Sequence, residues 1–206
     1  MGWGLFSVCL SMAHCQQAPN VEDLPALSDQ GHLRAVIEIP AGTNHKVTYE
    51  AQARNFVVEQ EAGKDRIIDF LPYPANYGFI PSTLLSKDEG GDGDPLDIFV
   101  IAESLPSAVS IEVLPLAIIH LLDDGEVDDK IIAVPRSLER RVIQDSTYQG
   151  LKTNYPAILQ IFELWLSSYD PQDSTQVMGW GDEEEAWSVI LNALETETDS
   201  TVEARY

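Results

Sequence analysis

Hydrophobic and polar residues alternate with the period of a β-strand from Leu33 onward. In RAVIEIP, Val36 and Glu38 fall on one side of the chain and Ile37 falls on the other. Similar β-branched or aromatic runs follow, separated by Gly, Asp, Asn and Pro; they read HKVTYEAQ, NFVVEQ, RIIDFLPY, PLDIFVIAE, SIEVLPLAIIHLL and KIIAVP. This spacing predicts a meandering, mostly antiparallel β-barrel rather than repeated βαβ units.

Helical periodicity appears in two places near the carboxyl end. Pro156 suits the first turn of a helix, and an apolar stripe at positions i, i+3, i+4 and i+7 follows it. Leu166 falls outside that stripe, which predicts that it faces solvent. The stripe consists of Ile158, Ile161, Phe162 and Trp165.

A second helix is predicted from Asp182, with Glu185 three residues on as its capping partner. Its apolar positions repeat with the same period, so we expect both helices to pack against the core of the barrel. The second stripe consists of Trp187, Ile190, Leu191 and Leu194.

Acidic residues outnumber basic residues by 34 to 12 in this chain of 206, which gives a formal charge of −22. Such a chain offers no basic face for neutralising phosphates, which excludes nucleic acid as a partner. Hydrophobic residues make up 44%, enough for one folded domain with tails. The charge has two interpretations: general surface acidity, as in adaptation to high salt, or a cluster of carboxylates that binds divalent cations.

Residues 1–30 are predicted to be a leader and linker, residues 31–194 the folded domain and residues 195–206 an acidic tail. The leader is small and apolar up to Cys15, which is compatible with an export segment that ends at a lipid-modified cysteine, although a basic start is missing. Attachment to a membrane is expected only through that lipid. Because Cys9 and Cys15 are the only cysteines, the folded domain has neither a disulfide scaffold nor a cysteine-ligated zinc site.

The strongest chemical signal is the segment GGDGDPLDIFV, in which Asp92, Asp94 and Asp97 lie within six residues. Carboxylates this close repel one another unless a cation lies between them. Their hard oxygen atoms suit Mg²⁺, Mn²⁺ or Ca²⁺, although Pro95 and Leu96 break the pattern of an EF-hand loop. The alternative is a solvated acidic turn.

Three further groups combine acids, bases and hydroxyls. Each has a structural interpretation by itself: an ordinary hairpin, a pair of core tyrosines or a salt bridge. Together they describe a site in which carboxylates hold metals while bases and hydroxyls hold the oxygen atoms of a phosphate-rich anion. The groups are Asp123, Asp128 and Lys130; Arg66, Tyr73 and Tyr77; and Glu38 with Lys46.

At these residues the chain resembles the family I soluble inorganic pyrophosphatases, over roughly residues 33–190. DGDPLD, from Asp92 to Asp97, matches the family signature, and VIEIP, the DR pair at Arg66 and YPANYG occur in the family's order and spacing. The resemblance implies an α+β fold, with a small OB-like, mostly antiparallel β-barrel and two main peripheral helices. It also implies hydrolysis of pyrophosphate to two phosphates with several Mg²⁺ ions, or with Mn²⁺, in a cytoplasmic homo-oligomer.

The resemblance also implies a role for each motif residue. Asp94 is implied as the acceptor of the proton of the attacking water, and Glu38 as an acid near the outer metals. Tyr73 is implied as a hydroxyl behind the phosphate contacts. The implied metal ligands are Asp92, Asp97, Asp123 and Asp128, and the implied phosphate contacts are Lys46, Arg66, Tyr77 and Lys130.

The chain departs from the family pattern in two places. Thr48 stands where the family has Glu two residues after the lysine, and Glu50, on the same face of the strand, is predicted to replace it. Trp165 and Leu166 stand where the family has a Tyr-Lys pair that contacts the outer phosphate. We therefore expect an active enzyme that binds its substrate more weakly.

Two alternatives to this activity remain open. The loss of the Tyr-Lys pair is also compatible with a phosphohydrolase that acts on another phosphate ester or anhydride. A divalent-cation-binding protein without turnover would keep the acidic cluster, but it would have no need of a water-activating acid at Asp94. Release of phosphate from pyrophosphate and from nucleotides distinguishes the three possibilities.

Overall fold

Five strands close into a ring, in a computed structural model that describes residues 20–170 and 174–203. The strands of the molecule are β1 (Leu33–Ile39), β2 (Val47–Glu50), β3 (Asn55–Val58), β4 (Gln60–Glu61), β5 (Lys64–Asp65), β6 (Asn76–Phe79), β7 (Asp97–Val100), β8 (Ser110–Asp123), β9 (Glu126–Val127), β10 (Lys130–Pro135) and β11 (Gln176–Gly181). The ring runs β1, β6, β7, β10 and β8, and β8 pairs back with β1. All of these pairs are antiparallel except β7 with β10. The expected α+β fold around a mostly antiparallel, barrel-like sheet is confirmed.

The remaining strands form hairpins or extend the sheet. β2 pairs with β3 and β4 with β5 in separate two-stranded sheets, while β9 and β11 both pair with β8. Five of the six strand-like runs that follow RAVIEIP therefore contain a strand, as predicted. The prediction for RIIDFLPY is wrong, because this run forms only an isolated bridge between Ile67 and His45. Pro72 and Pro74 lack the N–H group that a strand ladder needs.

Among the described residues, three α-helices pack against the strands: α1 (Tyr148–Asn154), α2 (Pro156–Leu166) and α3 (Glu183–Glu203). The predicted starts of α2 and α3 are confirmed. Pro156 opens α2, and Asp182 Oδ1 accepts hydrogen bonds from the backbone N–H groups of Glu184 and Glu185 at 3.1 Å. The Glu185 side chain contacts His120 of β8 instead of returning to the cap. Helix α1 is not predicted from the sequence, because its residues YQGLKTN form no apolar stripe.

The buried face of α2 differs from the predicted stripe. Ile161 is 51% exposed and Leu166 only 3% exposed, so the prediction that Leu166 faces solvent is wrong. The helix carries apolar residues on two overlapping stripes, and packing against the sheet selects between them. In α3, Ile190 is buried as predicted but Leu191 is 49% exposed. The buried residues of α2 are Leu159, Phe162, Trp165 and Leu166.

Alternate residues of the same strands supply two separate cores. In β7, Phe99 belongs to one core while Ile98 and Val100 belong to the other. This division follows from the two-residue repeat of a strand, which sends successive side chains to opposite faces. Phe162 of α2 packs into the first core and Ile190 of α3 into the second. The helices thus cover opposite faces of the same strands.

Two residues of YPANYG fix the contact between β1 and β6. Gly78 lies so close to β1 that a Cβ atom there would stand 1.9 Å from the carbonyl oxygen of Val36. Asn76 is fully buried, and its amide group accepts two hydrogen bonds and donates two. These bonds hold the strand that presents Tyr77. The partners of the Asn76 amide are backbone groups of Ala41, Val100, Glu103 and Leu105.

The predictions for the ends of the chain fall largely outside the described residues. The possible export segment with Cys9 and Cys15 lies there, so the division into leader, domain and tail stays a prediction. Helix α3 continues through the first part of the predicted tail, as far as Glu203. Across the described part of the chain, no helix has the length and apolar character that crossing a membrane requires.

Candidate active site

One cavity of about 640 Å³ brings together every residue predicted for the site. Acidic side chains outnumber basic ones by ten to three along its walls. An anion alone would meet strong repulsion there, so the cavity favours cations. The predicted residues that line it are Glu38, Lys46, Arg66, Tyr73, Tyr77, Asp92, Asp94, Asp97, Asp123, Asp128 and Lys130.

Strand register explains why acids and a lysine meet at the centre of the cavity. β7 begins at Asp97 and β10 at Lys130, and the parallel pairing of these strands sets the two residues side by side. Asp123 ends β8, and Asp128 lies just before β10. The hairpin that joins β8 to β10 therefore returns both acids to the edge where β7 begins. Sheet pairing joins two motifs that are separate in the sequence.

Lys130 is the buried cation of the site, with 6% of the residue exposed. Its Nζ atom donates to the carboxylates of Asp97 and Asp128, and Tyr77 Oη donates to Asp97 Oδ2 at 2.5 Å. Burial alone would lower the pKa of Lys130, but the two carboxylates outweigh it and hold the pKa above its ordinary value. Burial and the charge of Asp97 raise the pKa of Tyr77, so the tyrosine is a neutral hydrogen-bond donor.

A second group of charges lies where phosphate contacts are predicted. Glu59 Oε1 accepts a hydrogen bond from Arg66 Nη1 at 3.0 Å, and Glu59 Oε2 lies 3.5 Å from Lys46 Nζ. Asp170 Oδ2 lies 3.0 Å from Arg66 Nη2. Burial opposes the charge of Arg66, but hydrogen bonds to these two carboxylates outweigh it and raise the pKa. The guanidinium is therefore a permanent cation whose present partners would compete with a phosphate.

Glu38 and Asp94 are among the carboxyl groups of the cavity that hold a proton more tightly than usual. Burial raises the pKa of Glu38 to about 8, although the backbone N–H of Tyr49 donates to Oε1 at 2.7 Å and favours the ionised form. Burial also raises the pKa of Asp94, and the charges of Asp92 and Asp97 add to the effect. Raised pKa values suit carboxylates that accept a proton during a reaction.

The oxygen atoms around the centre of the cavity fit a hard divalent cation, because such ions prefer carboxylate ligands. Within residues 20–170 and 174–203, no group of three or more Asp, Glu, His or Cys side chains is arranged to hold an ion. At the centre of the cavity, the ammonium group of Lys130 occupies the position between two of the acids, because Asp97 and Asp128 both accept its hydrogen bonds. A cation would draw on these same carboxylates, so its binding competes with Lys130.

Both departures from the family pattern lie on the cavity wall. Thr48 lines the cavity, but Glu50 is exposed at the end of β2 and does not, so the prediction that Glu50 replaces the missing acid is wrong. Trp165 and Leu166 form an apolar patch of the wall. The ring of Trp165 stacks on Tyr169, with the centroids 4.6 Å apart and the planes at 4°.

Sequence reasoning misses several residues of the site. Glu59 ends the segment that carries β3, and the hydrogen bond from its backbone N–H to the Lys46 carbonyl places it beside that lysine. Only the pairing of β2 with β3 could have indicated this position. Glu22 lies in the segment interpreted as a linker, and no motif marks it. The missed residues are Glu22, Glu59, Asp124, Glu126 and Tyr169 of the wall, and Asp170 in contact with Arg66.

Comparison with known proteins identifies the family. The family profile described as inorganic pyrophosphatase matches residues 35–198. The inorganic pyrophosphatase of Neisseria meningitidis serogroup B is 35% identical over 176 residues, which cover 83% of this chain and 92% of that protein. The corresponding protein of Haemophilus influenzae is 34% identical over 175 residues, which cover 82% of this chain and 92% of that protein.

Solved structures have the same architecture. An inorganic pyrophosphatase from Neisseria gonorrhoeae superposes with a TM-score of 0.67 at 31% identity, covering 82% of this chain and 93% of that one. The inorganic pyrophosphatase of Thermus thermophilus shares the fold, with a TM-score of 0.75 at 24% identity and coverage of 87% and 99%. From the extent of the profile match and the identity to the meningococcal protein, the chain belongs to the inorganic pyrophosphatase family.

Proposed function

We propose that this chain hydrolyses inorganic pyrophosphate to two phosphates with the help of divalent cations, and that Mg²⁺ is the cation it uses. The observation that carries the proposal is the division of one cavity into carboxylates around Asp97 and bases at Lys46 and Arg66. Pyrophosphate with its cations is complementary to such a cavity, because the cations meet carboxylates and the phosphate oxygens meet bases. Membership of the family supports the same activity.

In the proposed mechanism the carboxylates of the cavity hold the cations, and its bases, including Lys130 beside Asp97, hold the substrate. Divalent cations bound by carboxylates lower the pKa of water and neutralise phosphate charge. Asp94 accepts the proton of the attacking water, a role that its raised pKa supports. The proposed metal ligands are Glu38, Asp92, Asp97, Asp123 and Asp128, and the proposed phosphate contacts are Lys46, Arg66, Tyr77 and Lys130, with Tyr73 behind them.

The bond changes in this reaction need no covalent help from the protein. The oxygen of water forms a bond to one phosphorus while the bond from that phosphorus to the bridging oxygen breaks. Lys46 and Arg66 bind the phosphate oxygens after their contacts with Glu59 open, and they offset the charge that develops on the departing phosphate. Positioning and electrostatic stabilisation therefore account for the whole contribution of these side chains.

Release of phosphate from Mg²⁺-pyrophosphate tests the proposal. Asp97→Asn is expected to abolish turnover, because it removes a charge from the carboxylates at the centre of the cavity. Asp94→Asn is expected to keep Mg²⁺ binding but to lower kcat by about 10²–10⁴-fold, since an amide cannot accept the proton. Asp88→Asn changes an exposed carboxylate just before the motif and should keep wild-type turnover. Near-normal turnover of Asp97→Asn, or a loss in Asp94→Asn below about tenfold, would contradict the assignments.

A second candidate function is hydrolysis of another phosphate ester or anhydride. The apolar patch of Trp165 and Leu166, next to Tyr169, favours it, because such a wall suits an organic group attached to phosphate. Nucleoside triphosphates and simple phosphate esters should be assayed beside pyrophosphate at the same Mg²⁺ concentration. A higher kcat/KM for one of them would replace the first proposal. Mg²⁺ binding without phosphate release from any substrate would indicate a cation-binding protein instead.

Three finer features belong to the same proposal: preference for Mg²⁺ over Mn²⁺, assembly into a homo-oligomer and a location in the cytoplasm. They rest on the family resemblance. Activity titrated with each metal tests the first, and sedimentation of the purified chain tests the second. The mass of the mature amino terminus from native cells tests the third, because a chain that begins at a lipid-modified Cys15 would be exported and anchored to a membrane.

A further inference from the structure

A buried carboxylate stands between two residues proposed for the site but does not reach the cavity. Asp128 and Lys130 line the cavity, whereas Asp129 is not part of its wall. Only 8% of Asp129 is exposed, and a carboxylate buried to this extent needs hydrogen-bond partners. Its partners therefore show what holds this part of the chain in place.

Two groups of β8 bind the carboxylate of Asp129. Its Oδ1 atom accepts a hydrogen bond from the backbone N–H of Leu121 at 3.2 Å, and its Oδ2 atom lies 2.8 Å from Nδ1 of His120. Because an ionised carboxylate only accepts hydrogen bonds, we assign the hydrogen of this contact to Nδ1. The backbone N–H of Asp128 donates to the carbonyl of Leu121 at 3.1 Å. Three hydrogen bonds thus tie Asp128 and Asp129 to β8.

The regular ladder of the sheet is interrupted at this point. β9 pairs with β8 as far as Val127, β10 pairs with β8 from Lys130 onward, and Asp128 and Asp129 between them belong to no strand. The side chain of Asp129 satisfies the backbone N–H of Leu121 in place of a strand partner. Because successive side chains of an extended chain point to opposite faces, a fixed Asp129 directs both of its neighbours to the other face.

Helix α3 covers the face of the sheet on which this contact lies. Nε2 of His120 lies 3.3 Å from Oε1 of Glu185, in the first turn of α3. Ile118, two residues before His120, belongs to the core that α3 covers, whereas Phe99 and Trp165 of the cavity wall belong to the other core. The histidine and its carboxylate partner therefore support the chain from the face opposite the cavity.

We infer that Asp129, held by His120, is a positioning residue of the reaction, which sets Asp128 and Lys130 in the cavity from the opposite face of the sheet. The inference rests on the proposed function, which makes these two neighbours a metal ligand and a phosphate contact. Lys130 donates to Asp128 and to Asp97, so a displacement of this turn changes both contacts at once. Such support matters because a misplacement of about 1 Å can lower a rate by about 10²-fold.

Two substitutions of His120 test the contact with Asp129 separately from the rest of the ring. The short side chain of Asn places its amide donor near the position of Nδ1, so His120→Asn should keep the hydrogen bond to Asp129 and most of the wild-type kcat. The longer Gln reaches towards Glu185 instead, so His120→Gln should lower kcat for Mg²⁺-pyrophosphate by about 10- to 100-fold. Glu185→Gln is the control and should keep the kcat of wild type, since an exposed ion pair contributes little. A wild-type kcat in His120→Gln, or equal losses in the Asn and Gln variants, would overturn the inference.

Substitution of Asp129 itself separates positioning from a merely structural role. Asp129→Ala removes both side-chain contacts, so its kcat should fall at least as far as that of His120→Gln, whereas Asp129→Asn keeps an acceptor for the N–H of Leu121 and should lose less. Ile190→Val is the control for stability, because it removes one methylene from the core under α3, and its kcat should equal that of wild type. All rates are measured well below the unfolding temperature of each variant. A loss of kcat in Asp129→Ala no larger than in Ile190→Val would overturn the inference.

Hydrogen exchange of backbone N–H groups tests the anchor without substrate, so the failure of this inference can be told apart from the failure of the proposed function. The N–H groups of Leu121 and Asp128 both donate at the interrupted ladder. In His120→Gln they should exchange up to about tenfold faster, as expected when a hydrogen bond that supports them is lost, while the N–H groups inside β10 keep their rates. Faster exchange beside a wild-type chain that releases no phosphate would count against the activity alone. Unchanged exchange, or faster exchange beside a wild-type kcat in His120→Gln, would overturn the positioning role and leave the activity intact.

Discussion

Glu59 contacts both bases that are proposed to bind phosphate, so it competes with the substrate. Its carboxylate lies 3.0 Å from Arg66 and 3.5 Å from Lys46. Glu59→Gln should lower the KM for pyrophosphate by about two- to fivefold, because partly exposed ion pairs contribute up to about 1 kcal/mol. Steady-state phosphate release measures KM, and Glu61→Gln in β4, an exposed acid nearby, should leave it unchanged. A higher KM in Glu59→Gln would mean that Glu59 positions the bases instead of competing with the substrate.

Glu38 makes the stability of the cation-free protein depend on pH. Its pKa rises from 4.5 to about 8 on folding, so between these values the folded state binds one more proton than the unfolded state. The free energy of unfolding therefore falls as the pH rises through this window. Glu38→Gln removes this dependence. The free energy of unfolding of the variant, relative to that of wild type, should therefore rise by up to about 1.4 kcal/mol per pH unit and level off near pH 8. Urea unfolding with a chelator measures this difference, and a constant difference would contradict the assigned shift.

The residues of the site fall into two groups: those from a local sequence motif and those that tertiary packing brings to the cavity. Asp92 and Asp94 lie in the loop before β7 and Asp97 is the first residue of that strand, so their crowding is visible in the sequence, and all three line the cavity. Glu22 and Asp170 come from segments without a motif and meet the cavity or its bases only through tertiary packing. Local spacing therefore predicts the residues of one motif, whereas the acids that modify them depend on contacts between distant segments.

At the scale of elements, the buried face of α2 determines what Leu166 can tolerate. Leu166 is 3% exposed and Leu164, on the same helix, is 69% exposed. Leu166→Lys should lower the free energy of unfolding by about 2–4 kcal/mol, because it removes a buried apolar side chain from its packing against the sheet. Leu164→Lys should change it by less than about 0.5 kcal/mol, as surface substitutions do. Urea unfolding of both variants measures the contrast. Equal effects would mean that α2 presents the predicted stripe to the sheet.

The elements that the sequence predicts correctly are those with one strong periodic signal. KIIAVP becomes β10, in which every residue is buried, and the long run SIEVLPLAIIHLL becomes β8. β6 is missed because its segment NYGF looks like the end of a turn, although Gly78 is needed for close contact with β1. Helix α1 (YQGLKTN) and strand β11 (QVMGWG) are missed because neither sequence has a regular hydrophobic period. Packing against neighbouring elements determines their structure instead.

At the scale of the whole molecule, only part of the charge of −22 lies where cations are expected. Ten acidic and three basic side chains line one cavity, while the remaining acids are distributed over the rest of the chain. Sequence composition alone leaves two interpretations open, because it does not show which acids lie together. The ring of strands resolves part of this question, since β7, β8 and β10 bring two acidic motifs to one edge.

The contrast between Mg²⁺ and Na⁺ separates the two interpretations of this charge. Simple screening of surface acids depends on ionic strength, whereas ions bound in the cavity stabilise the folded state by mass action. At about 100 times the dissociation constant, a bound ion contributes about 2.7 kcal/mol, which corresponds to a rise in Tm of about 5–10 °C for a chain of this size. Differential scanning calorimetry should show this rise with MgCl₂ and a smaller one with NaCl of equal ionic strength. Asp97→Asn should lose the part specific to Mg²⁺. Equal rises in Tm with both salts in the wild-type chain would mean that the salts only screen repulsion between surface acids. The cavity would then bind no Mg²⁺ specifically.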